Sequence, residues 1–473
     1  MTSDEAGAHL MALIGAGRLA EAEAECRRQL ARQPGQAVTL NTLGNLLDDL
    51  GRPEEAEQTY RQAIEAAPDL AEAHYNLGLL LQGQRRLEEA QAAYRRAVAA
   101  RPSMAQAHNN LGAALRDLRQ LDEAMAAFET AIRLRPDYAD AQFNQAMCRL
   151  LMGDYPRGWA QYEWRWRIGQ AGRAQRNLGR PLWLGREDLS GRTILLHAEQ
   201  GLGDTLQFCR YAPMVAALGA TVILEVQPGL ERLLACLDGI PLGRGRMRIM
   251  RRGEILPPFD YHTPLMSLPL ALGALPAPAA YLSAEPQLTA QWARRLGEPD
   301  GLRVGLVWAG AARPDQPIAS AVDRRRSLPL EALAPLAAFE GTRFYSLQKG
   351  PAAAQLARAE GLGGSGLAII DHAALLTDFA QTAALIANLD LVISCDTSVA
   401  HLAGAMGKPV WILSRFDGCW RWLAEGDHTV WYPKARLFRQ TTRGDWTGVI
   451  DQVARALHAK VGPVWRSGSA LTL

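Results

Sequence analysis

A chain of 473 residues is too long for one hydrophobic core, so two to four domains are expected. Its 51 Lys and Arg nearly cancel its 49 Asp and Glu, which excludes the strong basic field of a general nucleic-acid or anionic-membrane binder. The most apolar neighbourhood, residues 255–282, is interrupted by six prolines and by Asp260 and His262, so no transmembrane segment is expected. The first residues carry no basic n-region and run straight into an amphipathic pattern, so no signal peptide is expected either. The six cysteines are scattered without a C-x-x-C pair, which points to reduced thiols in a cytoplasmic protein and away from disulfides or a zinc site.

Residues 1–170 repeat at an interval of 34. Pro34, Pro68, Pro102 and Pro136 keep this phase, as do Ala22, Ala56, Ala90 and Ala124, and Gly44, Gly78 and Gly112. A bulky position recurs at Cys26, Tyr60, Tyr94, Phe128 and Tyr162. Small residues let two helices approach, the aromatic fills the gap, and proline opens the next unit. The pattern resembles the tetratricopeptide repeat, with clear units at 37–70, 71–104 and 105–138, a weaker one before and a degenerate one after. Such arrays form an α-helical superhelix whose concave face takes a protein or peptide. Asn41, Asn45, Asn76, Asn109 and Asn110 fall on first helices, where they could hold a peptide backbone or be solvated polar positions. The aromatic run at Trp159, Tyr162, Trp164 and Trp166 is either a ligand platform or the cap that closes the array.

Residues 171–192, rich in Gly, Arg and Pro, read as a linker packed on a surface. A first α/β domain is expected over 193–290: strand 193–197, a glycine loop, a helix over about 204–218 and strand 221–226. Gly201 and Gly203 would let backbone approach a ligand, and Asp204 is either a helix cap or a carboxylate facing a cleft. His262 is either on the acceptor side of that cleft or packed away. Residues 274–300, rich in Pro and Ala, read as a crossing to a second α/β domain over 301–473.

That domain opens with an apolar strand ending in Trp308, Ala309 and Gly310, followed by a long polar loop that carries Arg324, Arg325 and Arg326. The next strand places Gln348 and Lys349 at a carboxyl end, and Lys349, one of only four lysines, is a candidate phosphate or ribose contact. In LVISCDTSVAHLAGAMGKPVWIL, strands at 391–394 and 410–413 flank a helix that Thr397 or Ser398 can cap and Gly407 can end. Free N–H groups, two hydroxyls and Asp396 meet there at a strand's carboxyl end, which suits a diphosphate beside a sugar hydroxyl, or an ordinary cap. His401, one turn on, can reach phosphate or cap its own turn.

HAEQGLGDTLQFCRY together with CDTSVAHLAGAMGKPVWIL resembles glycosyltransferase family 9, whose best-known members are ADP-heptose:lipopolysaccharide heptosyltransferases, over roughly residues 190–460. The resemblance implies an α/β GT-B fold, two Rossmann-like domains with a cleft between them, using a nucleotide sugar as substrate and no cofactor. It makes Asp204 the proposed general base, places the donor diphosphate at Asp396, Thr397 and Ser398, and lets Arg326 neutralise the leaving group. Serine stands at 398 where that loop has glycine. Trp308, Gln348, Lys349 and His401 complete the expected donor side. No DxD or His/Glu cluster stands ready for a metal. Two further readings remain: a protein glycosyltransferase similar to O-GlcNAc transferases, which join such repeats to a GT-B domain, and a non-catalytic interaction scaffold.

Overall fold

The computed structural model describes residues 3–169, 175–238, 245–277, 279–311, 313, 315–361 and 366–461. The first residues of the expected linker (171–174), residues 239–244 of the first α/β stretch and the end of the chain beyond Val461 lie outside them. Contacts divide the chain into two units, Met1–Arg173 and Ala174–Leu473.

The first unit is five helical hairpins: α1 (Ser3–Gly15) with α2 (Leu19–Arg32), α3 (Ala37–Asp49) with α4 (Pro53–Ala66), α5 (Ala71–Gly83) with α6 (Leu87–Ala100), α7 (Ala105–Asp117) with α8 (Leu121–Leu134), and α9 (Ala139–Leu151) with α10 (Tyr155–Tyr162). The 34-residue alanines 22, 56, 90 and 124 are all fully buried, as are Cys26, Tyr94 and Phe128, with Tyr60 at 2% exposure. The repeating glycine exists because of the repeating ring. A Cβ on Gly78 would stand 2.6 Å from Tyr94 Cε1, and one on Gly112 2.7 Å from Phe128 Cε1. Gly83 meets nothing within 4 Å. Gly78→Ala is therefore expected to destabilise by about 1–3 kcal/mol through overpacking. Gly83→Ala should instead stabilise by about 0.5–1 kcal/mol, its helix propensity gain being unopposed. Urea midpoints of the two variants check the opposite signs.

Charge also keeps the repeat. Arg52 pairs with Glu23 and Arg86 with Glu57, each bridging neighbouring hairpins, whereas the third junction replaces the ion pair with a Gln91–Gln120 hydrogen bond. The asparagines are committed to other side chains of the array. Asn76 Nδ2 donates to Asn41 Oδ1 at 3.0 Å, Asn110 Nδ2 to the Tyr75 hydroxyl, and Asn144 Nδ2 to Asn109 Oδ1. Asn45 accepts from the Tyr60 hydroxyl at 2.7 Å. In the last hairpin Trp159 and Tyr162 are buried, and Tyr162 packs on Phe143, so these two side chains close the array's own core.

The second unit holds two parallel sheets. The first has the order β3-β2-β1-β4, from β1 (Thr193–His197), β2 (Thr221–Val226), β3 (Arg246–Arg251) and β4 (Tyr261–Pro264). The second has the order β10-β9-β8-β5-β6-β7, from β5 (Leu302–Val307), β6 (Thr342–Ser346), β7 (Ile369–Asp371), β8 (Leu391–Cys395), β9 (Val410–Ser414) and β10 (Ala435–Arg439). Read from β7, this is the doubly wound 3-2-1-4-5-6 order, whose chain reversal falls between β5 and β8. The fold is thus a tetratricopeptide array followed by an α/β unit with two Rossmann-like sheets.

Four expectations need correction. Residues 175–192 are part of the α/β unit: Trp183 is 2% exposed, its N–H donates to His262 O, and Leu182 forms a parallel bridge to His262 at the β4 edge. The helix expected over 204–218 starts earlier and breaks, giving Leu202–Phe208, a short 3-10 turn and Ala212–Ala217, because Pro213 has no N–H to continue the ladder. The crossing over 274–300 contains a helix, Pro286–Leu296, whose Trp292 is buried and donates to Gln381. The loop after β5 contains a helix too, Pro317–Arg326, opened by proline at its first position.

Candidate functional site

The chain reversal in the second sheet brings together the loops that leave β5 and β8. Gln348, from the loop after β6, organises the first of them. Its Oε1 accepts from the N–H groups of Trp308 (3.1 Å) and Ala309 (2.9 Å), and its Nε2 donates to the carbonyls of Ala309 and Lys349. Gln348 is 2% exposed and Trp308 fully buried, so both shape the loop from beneath. Gly310 follows, bonded through its N–H to Ser327 Oγ. A Cβ there would stand 2.7 Å from Arg326 Nε and 2.8 Å from Asp323 Oδ1, so the glycine admits this pair.

Arg326 joins the two loops. Its guanidinium donates to the Asp396 carbonyl and to Asp323, while buried Asp323 is also clasped by Arg313 Nε at 2.8 Å. Beyond Asp396, Thr397 is the residue before helix Ser398–Ala405, which ends at Met406 and Gly407, the latter in the left-handed region at φ +67°. The Thr397 hydroxyl makes no cap bond and lies 3.1 Å from Ser394 Oγ; Ser398 is half-buried at the first helical position. The loop therefore keeps its helix-start N–H groups uncapped by side chains. Burial alone would raise the Asp396 carboxyl pKa. The positive charge around it, from His401 when protonated and from Arg326, Arg415 and Arg421, outweighs burial and holds the pKa below the usual carboxylate value.

His401 faces inward. Its Nδ1 lies 2.9 Å from the Tyr432 hydroxyl, its ring stacks on Trp422 with centroids 5.1 Å apart, and its Nε2 is 3.9 Å from Asp396 Oδ1. Burial, with Arg421 adding to it, pulls its pKa from 6.5 down to about 4. The folded protein thus keeps the ring neutral where the unfolded chain would protonate it. Stability is expected to fall as pH drops from about 6.5 to about 4, where the unfolded state binds the extra proton. A His401→Gln variant should show a shallower loss of thermal stability across that window, and an identical slope would clear His401 of the effect.

The glycine loop of the first sheet meets the same helix. A Cβ on Gly203 would lie 2.9 Å from His401 Cδ2 and 3.5 Å from Ser398 Cα, so this glycine makes room for the His401 ring. Gly201 precedes helix Leu202–Phe208 and its N–H donates to Asp204 Oδ2 at 2.8 Å. Asp204 thereby closes its own helix start, and its Oδ1 is ion-paired to Arg421. Of the other expected residues, Lys349 stands apart: β6 lies on the far side of β5 from β8, roughly 10 Å away in the sheet, and its Nζ donates to Ala373 O. His262 is buried within β4, its Nδ1 3.3 Å from His197 Nε2, and burial lowers its pKa. Among the described residues no group of three or more His, Cys, Asp or Glu is placed to hold a metal.

A segment that holds none of the expected site residues supplies much of the site. Residues 415–434 carry Arg415, Asp417, Arg421 and the buried Trp420, Trp422, Trp431 and Tyr432. Asp417 pairs with both Arg415 and Arg325, and Arg210 from the first sheet's side donates to Trp431 O at 3.0 Å. Leu423 sits at φ 59°, ψ 172°, a region essentially reserved for glycine, and Arg439 gathers the carbonyls of Trp422, Leu423, Glu425 and Gly426 around it. The interleaved arginines and tryptophans of RFDGCWRW were the available signal.

Comparison with known proteins follows this division. Tetratricopeptide repeat profiles match residues 44–85, 75–139 and 113–163, and the profile of glycosyltransferase family 9 (heptosyltransferase) matches residues 350–413. The latter span contains Asp396, Thr397, Ser398 and His401; Asp204 lies outside it. Protein FlbA of Caulobacter vibrioides is 29% identical over 336 residues, covering 67% of this chain and 54% of FlbA, so the chain spans about half the length of that relative. Among solved structures, MamA is 23% identical over 32% of this chain and 89% of its own, with a TM-score of 0.31. PilF of Pseudomonas aeruginosa is 21% identical over 34% and 73%, with a TM-score of 0.32. Among the described residues no helix is long and apolar enough to cross a membrane.

Proposed function

Because this chain joins tetratricopeptide repeats to a glycosyltransferase family 9 domain, we propose that it transfers a sugar from a nucleotide-sugar donor to a protein, peptide or cell-surface glycan acceptor, which the array helps to select. One observation carries the reading. At the chain reversal of the second sheet, Arg326 ties the β5 loop to the β8 loop, beside a carboxylate and the uncapped start of an eight-residue helix. In that setting the diphosphate lies against Thr397 and Ser398, with Asp396 left for a sugar hydroxyl. As the acceptor oxygen bonds to the anomeric carbon, the bond from that carbon to the diphosphate breaks. The acceptor proton passes to Asp204, and the charge left on the diphosphate is met by Arg326 and the helix start. The six cysteines are free, which supports a cytoplasmic setting.

The first test is a calorimetric and thermal-shift panel of nucleotide sugars on the wild type and on Thr397→Ala/Ser398→Ala. A donor that binds the wild type should stabilise it by about 2.7 kcal/mol at a hundredfold excess over Kd, and the double variant should lose that stabilisation. A scaffold without transferase activity is the second reading, and the pairing of Asp204 with Arg421 favours it. Binding by no donor, with partners captured by the repeats, would decide for it. A mass increase on a captured peptide would point instead to the O-GlcNAc-transferase-like variant of the enzyme.

A further inference from the structure

Arg421 belongs to the 415–434 segment of the second sheet's half, yet it spends its guanidinium on the first. Its Nε donates to Gln207 Oε1 at 2.8 Å, its Nη2 is ion-paired with Asp204 Oδ1, and its Nη1 lies 3.2 Å from Cys419 Sγ. The guanidinium lies over the Trp420 ring, 4.2 Å from its centroid. Both partners are mostly covered, with side-chain exposures of 11% for Arg421 and 19% for Asp204. Since Gly201 N–H occupies the other carboxylate oxygen, Asp204 is engaged at both oxygens. Its helix packs on Ser398–Ala405, so the same guanidinium acts on Asp396 across the junction. The cation paired with the carboxylate expected to take a proton thus also adds to the positive field at the loop expected to take a diphosphate.

We propose that Arg421 is a ligand-operated guard on Asp204. Without ligand it masks the carboxylate; a nucleoside diphosphate at residues 396–398 draws the guanidinium onto its phosphates and leaves Asp204 open to the acceptor hydroxyl. The inference rests on the transferase reading of the same site. It makes Arg421 a donor-binding residue and sets an order, donor before acceptor. The flat Trp420 ring provides a surface on which the guanidinium can swing without losing its cation–π contact. Phosphate competes well for it, because a guanidinium binds phosphate and carboxylate through the same fork of N–H donors.

The test is a thermodynamic cycle on the full chain, with ADP and UDP as probes and affinity read by calorimetry. If the diphosphate must take Arg421 from Asp204, then Asp204→Asn should bind it roughly three- to tenfold more tightly, the worth of a partly covered ion pair. Arg421→Ala should bind more weakly, and Asp204→Asn should add nothing in the Arg421→Ala background. A general repulsion between Asp204 and the diphosphate predicts the reverse, a gain in the double variant at least as large as in the single. That result, or unchanged affinity in Asp204→Asn, overturns the guard. Absence of ADP and UDP binding in both wild type and Asp204→Asn would instead overturn the transferase reading beneath it. Asparagine keeps an oxygen for the Gly201 N–H, and Arg421→Lys serves as a folded control that keeps charge but loses the fork.

Discussion

Replacing Asp204 with asparagine is expected to slow sugar transfer by about 10²–10⁴-fold, the usual contribution of a positioned general base, without weakening diphosphate binding. The structure makes asparagine the informative choice. Asp204 Oδ2 accepts the Gly201 N–H that opens helix Leu202–Phe208, and an amide oxygen can keep that bond. Alanine would lose it as well, adding a helix-start cost of about 0.5–2 kcal/mol to any catalytic effect. The measurement is single-turnover transfer with the donor found in the binding panel, alongside a thermal melt. A loss of rate with an unmoved melting point assigns the proton transfer to this carboxylate. Unchanged turnover would take Asp204 out of the mechanism and leave it the structural cap and ion-pair partner that its geometry already makes it.

Arg326→Ala should lower affinity for ADP or UDP roughly 10- to 150-fold, the range of charge-assisted hydrogen bonds worth about 1.5–3 kcal/mol. Two effects combine in that loss: the cation beside the phosphates goes, and so does the bond that pins the Asp396 carbonyl to the β5 side. Asp323, buried beneath, stays paired through Arg313, so the fold should survive the substitution. Lysine is expected to restore little, since a single ammonium cannot serve Asp323 and the Asp396 carbonyl together. Affinity unchanged in the alanine variant would move the diphosphate away from this loop pair.

How much of this was legible in the chain depended on the range of the interactions involved. The repeats were readable because each hairpin obeys contacts between residues a few turns apart, and the same contacts recur every 34 residues. Gly44 predicts Tyr60, and Gly78 predicts Tyr94, because ring and missing Cβ occupy one space. Strands β1, β2, β8 and β9 were equally plain, being apolar runs buried on both faces. The helix Pro317–Arg326 was missed because its sequence is polar and its amphipathic signal is faint; proline at its start was the one cue. The helix in 286–296 was hidden in a Pro- and Ala-rich stretch that looked like a connection.

Residue types at the site were also written in the sequence: an aspartate after a glycine loop, an Asp-Thr-Ser turn before a helix, and arginines in between. Which of them meet was decided only by the tertiary structure. Strand order placed Lys349 two strands from β8, beside Ala373, while letting Gln348 reach back to the β5 loop. Packing of two helices set the His401 ring against Gly203. The pairing of Arg421 with Asp204 spans 217 residues, and no local pattern encodes it. Periodicity and propensity act over a few residues and so are carried by the chain itself. The partners of a buried charge are chosen by whichever segments the sheets bring to one place, because leaving it unpaired would cost more than any local preference can repay.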